Sequence, residues 1–362
     1  MLYFVYGVQS LCIVMFFVIF YFVLDRVETN HIQVIDIIMI VCLVLFAGFR
    51  YNVGSDFSTY ELMYNFYSKS IVDVPKERLF FHSMYYLKRI YDNPQIIFWF
   101  VALLVYPMLI IYMRKVSTKP SLLFAYYMLG GFWASSLNIM RQAIAMSILL
   151  WAYYVLKKKK LLTFVVLCII ASEFHVSSIF ISVILVLAVL IKPNKNAINK
   201  VIGFSVLFAI FGRNVLNFLC KKIPVLTYYS HYMTVGDSSM DRLRKIGAFG
   251  FLAFSIFCAI ITSLNGNELA KKTGDKKAIK FCMLSVIISA FAINFPYINR
   301  VSLYLLLIPM ESVPAIWKNK YKVNNKNVVH ILLLIIMSMW CIFISVFGLD
   351  NLSWKYNFIW NK

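Results

Sequence analysis

Five polar residues stand out because each interrupts or borders a long apolar run of the chain. They are Arg50, Asp56, Arg141, His175 and Arg300. A charged side chain at membrane depth is costly, so it is normally paired or faces a wet cavity. Arginine offers a planar fork of donors that suits phosphate oxygens, and histidine can exchange a proton near neutral pH. The five residues predict a site for an anionic headgroup or a lipid-linked diphosphate.

Each of these residues also has a purely structural interpretation. A lone arginine at a helix end can extend to the lipid headgroups. Asp56 follows a turn that Gly54 permits and can cap the next helix. His175 can be an interfacial histidine with its hydrogen bonds satisfied. Three arginines on one face are harder to explain in this way, so we expect a functional site.

The composition sets the environment in which this site must lie. Of the 362 residues, 62% are hydrophobic and 14% are charged, which indicates that lipid is the solvent for most of the chain. The formal charge of +21 comes from short basic runs between apolar blocks, and these indicate topology rather than nucleic-acid binding. The outer segments contain no acidic pair and no His/Cys cluster, so we predict no metal and no other cofactor.

The apolar runs predict an all-α polytopic membrane protein with about twelve transmembrane helices, within a range of ten to twelve. One run, 161–191, would form a helix of about 45 Å, which exceeds the bilayer thickness. Its polar centre at 172–175 predicts a turn between two short helices. We expect 1–362 to be a single integral membrane domain, with its first run retained as a helix. The runs are 2–24, 32–49, 95–113, 121–137, 142–156, 161–191, 201–219, 246–264, 279–294, 301–317 and 328–348.

The basic residues predict an orientation with both termini outside. Six short segments between the runs are richer in Lys and Arg per residue than the remaining segments, which places them on the inner face. The run Lys157-Lys158-Lys159-Lys160 is then a cytoplasmic anchor. The inner segments are 25–31, 114–120, 157–160, 192–200, 265–277 and 318–327. This orientation places all five polar residues at the outer face.

Two long segments lie on that same outer side. The first, 50–94, contains two aromatic, amphipathic stretches at 60–67 and 78–91, which predict helices lying in the membrane interface. The second, 220–245, includes Lys222 and His231 and has the composition of either a polar lid or an inert linker.

Four motifs resemble those of a known family. The segment 48–60, Gly-Phe-Arg-Tyr-Asn-Val-Gly-Ser-Asp-Phe-Ser-Thr-Tyr, resembles the signature of the EpsG family, which comprises Wzy-like bacterial exopolysaccharide, capsule and O-antigen polymerases. The others are Asn138-Ile139-Met140-Arg141-Gln142, then Phe174-His175-Val176-Ser177, and Asn299-Arg300 with Tyr304. Glu77 falls where relatives often carry an acid. Phe57 is a departure, because many relatives carry tyrosine there.

The resemblance implies a GT-C-like architecture and a metal-independent reaction. A growing glycan would move from undecaprenyl diphosphate to a sugar hydroxyl of another lipid-linked repeat unit. Arg141 and Arg300 would bind the diphosphate, and Arg50 would be a third contact or would orient Asp56. Asp56 is the first choice for activating the hydroxyl, and His175 the second. Further expected substrate contacts are Tyr51, Gly54, Tyr60, Glu77, Asn138, Gln142, Tyr304, Lys222 and His231.

The same resemblance implies a location and partners. The protein would lie in the bacterial cytoplasmic membrane with its active site facing outside. Its partners would be undecaprenyl-diphosphate-linked oligosaccharide repeats, membrane lipid, and flippase and chain-length regulator proteins, with no nucleic acid.

Two other functions remain open at the level of sequence. A ligase or single-addition glycosyltransferase would use the same donor and differ only in its acceptor. A flippase for lipid-linked sugars is less consistent with the charges, because such a path needs charged residues through both leaflets and often an inverted repeat. A deletion strain distinguishes these functions. If single repeats are still capped but all longer chains are lost, the protein is a polymerase. If lipid-linked repeats accumulate on the inner leaflet, it is a transporter.

Overall fold

The computed structural model describes residues 2–26, 29–71, 74, 76–190, 239–264, 278–293, 299–308, 310, 335–341 and 356–361, with single positions at 207, 211, 214, 218 and 222. Within these residues the secondary structure is helical, apart from turns and one isolated antiparallel bridge between Arg50 and Phe358. The all-α prediction is therefore confirmed for this part of the chain. The chain forms two compact units, one of Met1–Val189 with Leu352–Lys362 and one of Leu190–Asn351. A single membrane domain over 1–362 stays a prediction.

The first unit follows the predicted order of helices closely. The 161–191 run is two helices with a turn at His175 and Val176, as its polar centre predicts. The two amphipathic stretches of 50–94 are also helices. The elements are α1 Leu2–Leu24, α2 Val34–Gly48, α3 Phe57–Tyr67, α4 Arg78–Ile90, α5 Gln95–Val116, α6 Pro120–Leu129, α7 Phe132–Asn138, α8 Met140–Lys157, α9 Leu161–Phe174 and α10 Ser177–Leu190.

The second unit contains α11 Ser239–Leu264, α12 Ala278–Ala292 and α13 Asn299–Leu307. Four buried serines join these helices through hydroxyl contacts of 2.9–3.0 Å: Ser255, Ser285, Ser289 and Ser302. The predicted 220–245 loop is wrong for residues 239–245, which open α11, and for Lys222, which is helical. Polar composition suggested a loop there, but Arg and Lys are good helix formers.

One described helix, α5, is long and apolar enough to cross a membrane by length and composition. Apolar helical stretches of 10–17 residues also occur, including Gln9–Leu24 within α1, Val34–Gly48 and Leu161–Phe174. The predicted 121–137 helix is broken into α6 and α7, because Gly131 adopts φ +79° and a Cβ on Gly130 would lie 2.6 Å from the Tyr126 carbonyl oxygen. The count of twelve crossings stays a prediction.

Helix α5 is the element against which the first unit is arranged. It packs against α2, α6 and α8. At its start, Gln95 Nε2 donates to the carbonyl oxygens of Gly48 (2.5 Å) and Arg50 (3.0 Å). Near its end lies Arg114. At 1.5 Å per residue these two ends are about 30 Å apart, so contacts at Gln95 and at Arg114 belong to opposite ends of the unit.

Arg114 forms a buried ion cluster at the second end. Its Nε and Nη2 donate to the two oxygens of Asp36 at 2.9 and 2.8 Å, and Nη2 also lies 2.7 Å from Asp25 Oδ1. Tyr21 donates to Asp36, and Asp25 accepts the Ser121 N–H. The cluster ties α2, α5 and the start of α6 to the end of α1. Asp36, a charge inside an apolar run, is thus explained by a structural partner.

We expect Arg114→Met to destabilise the first unit by about 3–5 kcal/mol, because it leaves two buried carboxylates without their cation. Thermal unfolding of the purified protein in detergent measures this change. Arg26→Met is the matched control, since Arg26 is exposed and its loss should change stability by no more than about 0.5 kcal/mol. Equal unfolding midpoints for the two variants would contradict the structural role of the cluster.

Candidate functional site

Glu77 occupies an unusual backbone position at the start of α4. Its φ of 58° and ψ of 39° lie in the left-handed region, which is strained for a residue with a side chain. The side chain is only 7% exposed. A strained backbone that carries a buried carboxylate points to a functional constraint at this residue.

The two oxygens of the Glu77 carboxylate contact different segments of the chain. Oε2 accepts a hydrogen bond from Arg141 Nη1 in an ion pair. Oε1 lies 2.7 Å from His175 Nδ1 and accepts the Val176 N–H at 3.0 Å. One side chain therefore joins α4, the start of α8 and the turn between α9 and α10.

A second contact holds the same turn against α4. Glu173 Oε2 accepts the backbone N–H of Arg78 at 3.2 Å. Arg78 is the first residue of α4, where N–H groups are unpaired and the helix dipole favours a negative charge. The turn is thus attached to the start of α4 on both sides of His175.

The electrostatics of the cluster keep Glu77 ionised. Burial raises the pKa of Glu77, but the His175 hydrogen bond, the Arg141 charge and the Val176 N–H outweigh it, so the pKa lies below the ordinary value of 4.5. Near neutral pH the carboxylate is an acceptor at both oxygens. Its interaction with Arg141 is accordingly a charge-assisted contact in a site with little solvent.

Arg141 has further partners on α3 and α4. Its charge interacts with the hydroxyl group of the buried Tyr60. Its guanidinium carbon lies 5.8 Å from the ring centre of Phe80 and 5.6 Å from that of Phe81, within cation–π range. The side chain remains 25% exposed. Arg141 is held in a defined orientation while keeping an open side.

Asp56 is positioned by the break between α7 and α8. Asn138 Oδ1 accepts the Asp56 N–H at 2.9 Å and lies 3.3 Å from Ser55 Oγ. Gly54 adopts φ +89°, and a Cβ there would lie 2.7 Å from the same Asn138 oxygen. Tyr60 lies one helical turn further along α3, and its hydroxyl group interacts electrostatically with both Arg141 and Asp56. Asp56 therefore lies near the Arg141 site.

Arg50 is buried against backbone carbonyl groups of the first unit. It is 2% exposed, and it donates to the carbonyl oxygens of Ala47 (2.8 Å) and Leu137 (3.0 Å). These carbonyls lie in the last turns of α2 and α7, where a cation is favourable. Its guanidinium carbon also lies 4.8 Å from the Phe98 ring centre. The guanidinium thus stabilises the break at 139, and its contact with the diphosphate or with Asp56 stays a prediction.

The family model for the EpsG family matches residues 33–358, which is most of the chain. This protein belongs to the EpsG family. That family comprises Wzy-like polymerases of polysaccharides, and its members are membrane proteins. Comparison with the curated proteins gave no match, and comparison with the solved structures gave none.

The remaining predicted site residues of this EpsG-family chain have varied surroundings. Tyr51 packs edge-on against Phe57 at 5.7 Å, and its N–H donates to the Asn357 carbonyl oxygen at 2.8 Å. Gln142 is buried next to Arg141. Arg300 and the buried Tyr304 lie on α13 of the second unit. Lys222 is exposed, and His231 lies outside the described residues.

No group of three or more His, Cys, Asp or Glu that could hold a metal ion occurs in the part of this EpsG-family chain that the structure describes. Function without a metal stays a prediction.

Sequence reasoning underestimated Glu77 and missed the rings of Phe80 and Phe81. Glu77 was one expected contact among many, yet it joins both Arg141 and His175. A signal was available, because residues three and four after an acid share its helix face. The Val176 N–H has no sequence signal, since every non-proline residue carries one.

We expect Gly54→Ala to destabilise the site by about 1–3 kcal/mol, because alanine is strained at φ +89° and its Cβ would clash with Asn138. Thermal unfolding midpoints of purified variants measure this. Ser55→Ala is the adjacent control and removes two long hydroxyl contacts, 3.3 Å to Asn138 Oδ1 and 3.4 Å to Asp56 Oδ1, with an effect of about 1 kcal/mol or less. If Gly54→Ala is as stable as Ser55→Ala, the packing of this loop on Asn138 does not constrain the site.

Proposed function

We propose that this protein is a polysaccharide polymerase of the bacterial cytoplasmic membrane. It transfers a growing glycan from undecaprenyl diphosphate to a sugar hydroxyl on another lipid-linked repeat unit, at the outer face. Family membership supports the general activity. The observation that carries the specific reaction is Arg141, a guanidinium fixed by Glu77 and Tyr60 but still partly exposed.

The chemistry needs a cation where negative charge develops. As the anomeric carbon leaves the diphosphate, charge accumulates on the departing phosphate oxygen, and a preorganised donor stabilises it. Arginine has five N–H donors, so Arg141 has capacity beyond the two contacts with Glu77 and Tyr60. Arg300 is proposed as the second residue that binds the diphosphate, because it belongs to the motif Asn299-Arg300. Two arginines would supply positive charge without a metal.

The acceptor sugar needs a proton acceptor and a surface to bind. His175 and Asp56 are the candidates for the proton acceptor, and both belong to the cluster around Arg141. The neighbouring helices α3 and α4 carry exposed aromatic side chains, including Phe66 and Tyr86. Aromatic faces stack on sugar rings, so these helices are proposed to bind the glycan close to the membrane surface.

Deletion of the gene in its host, followed by gel analysis of the surface glycan, tests the polymerase assignment. We expect all chain lengths above one repeat to disappear while single repeats are still transferred to their final acceptor. Loss of single repeats as well would indicate a ligase. Repeats trapped on the inner leaflet would indicate a transporter.

We expect Arg141→Lys and Arg300→Lys each to lower polymer production about 100-fold while the protein stays in the membrane, because a point charge does not reproduce the bidentate fork. Gel ladders of cells that express each variant, with immunoblots of the membrane fraction, measure both quantities. Arg26→Lys makes the same exchange at an exposed position and should leave the ladder unchanged. Normal ladders from both site variants would remove the diphosphate assignment.

A further inference from the structure

We propose that Glu77 is a positioning residue that fixes His175 as the proton acceptor of the transfer reaction and ties it to the diphosphate-binding Arg141. The proposal rests on the proposed function. It assigns to Glu77 a defined role and chooses between the two candidate bases.

The hydrogen bonds around Glu77 fix the tautomer of His175. The carboxylate is ionised beside Arg141, so neither of its oxygens carries a proton to donate. His175 Nδ1, at 2.7 Å from Oε1, must therefore carry the proton of that contact. In a neutral imidazole the other nitrogen, Nε2, then keeps its lone pair. This is the tautomer that a general base requires.

The same carboxylate sets the spacing between base and cation. Arg141 binds Oε2, whereas His175 and the Val176 N–H bind Oε1. Two oxygens of one carboxyl group have a fixed separation, so the imidazole and the guanidinium cannot move independently. The left-handed backbone at Glu77 points to a conformation that the surrounding contacts impose. The His175 side chain remains 21% exposed, so substrate can reach it.

The proposed transfer forms one bond and breaks one bond at the anomeric carbon. The acceptor hydroxyl oxygen uses a lone pair to form a bond with the anomeric carbon of the donor glycan. The bond from that carbon to the diphosphate oxygen breaks, and its electron pair stays on the diphosphate, next to Arg141. The hydroxyl proton passes to His175 Nε2. The resulting imidazolium is stabilised by the Glu77 carboxylate until it returns the proton to water.

Asp56 is less suited to be the base. His175 shares the Glu77 carboxylate with Arg141, the proposed diphosphate ligand. The Asp56 N–H donates to Asn138 Oδ1, and Asp56 Oδ1 accepts a hydrogen bond from Ser55 Oγ. These contacts fix the loop. We assign Asp56 to binding acceptor hydroxyls.

A double-mutant cycle with purified full-length protein in nanodiscs and a defined lipid-linked repeat tests the proposal. The variants are Glu77→Gln, His175→Ala and both together, with kcat and the KM for the donor measured for each. Asp92→Asn is the control, because Asp92 is an exposed acid that pairs with Lys88 at the other end of α4.

We expect Glu77→Gln and His175→Ala each to lower kcat about 100-fold or more, with a much smaller change in KM. The loss in the double variant should be far smaller than the product of the two single losses, because Glu77 acts largely through His175, and the remainder comes through Arg141. Asp92→Asn should retain wild-type kcat. Losses that multiply in the double variant, or an unchanged kcat for Glu77→Gln, would overturn the positioning role.

Glu77→Asp provides a second cycle should Glu77→Gln not fold. The shorter aspartate side chain keeps the negative charge but cannot reach both Arg141 and His175 in the same geometry. We expect it to lower kcat about tenfold in the wild-type background and by a much smaller factor in the His175→Ala background, where only the contact with Arg141 is left to disturb. Equal losses in the two backgrounds would overturn the proposal. If wild-type protein forms no polymer in this assay, the proposed function fails instead.

Discussion

The Glu77 carboxylate joins parts of the chain that are far apart in sequence, and the arrangement of the site depends on that interaction. Arg141 is 64 residues away and His175 is 98. In surroundings with little water, each of these groups would be costly to bury alone. Each becomes acceptable because the others are present. Charge pairing therefore determines where the start of α4, the start of α8 and the α9–α10 turn must meet.

The rest of the first unit keeps these segments in place. Helix α5 separates the site from the Arg114 ion cluster by its own length, and both ends of the helix have fixed partners. Arg50, buried between the C-terminal turns of α2 and α7, stabilises the break from which α8 begins. Residues 356–361 return to the same place, with the Ile359 N–H donating to the Phe49 carbonyl oxygen at 2.9 Å. The position of Arg141 is thus determined by a packed framework and not by a mobile loop.

Much of this could be predicted from sequence. Apolar periodicity located the helices of the first unit, and the polar centre of 161–191 located the turn that carries His175. What sequence could not give was partner choice. Arg50 and Arg141 have similar sequence contexts, because each borders an apolar segment. In the structure Arg50 is buried and donates to carbonyl oxygens, whereas Arg141 stays partly exposed and pairs with a carboxylate. The outcome depends on tertiary packing, as it does for Asp36, whose partner Arg114 lies 78 residues away. The helical start of α11 was missed because polar composition is shared by loops and exposed helix ends.

The central claim is that this EpsG-family chain itself performs the transfer from a lipid diphosphate. The most direct measurement is polymerisation in vitro with the purified protein, its native lipid-linked repeat and no nucleotide sugar. The account predicts a ladder of products, with release of undecaprenyl diphosphate in step with each bond formed. Single repeats that remain unextended in the presence of folded protein would contradict it.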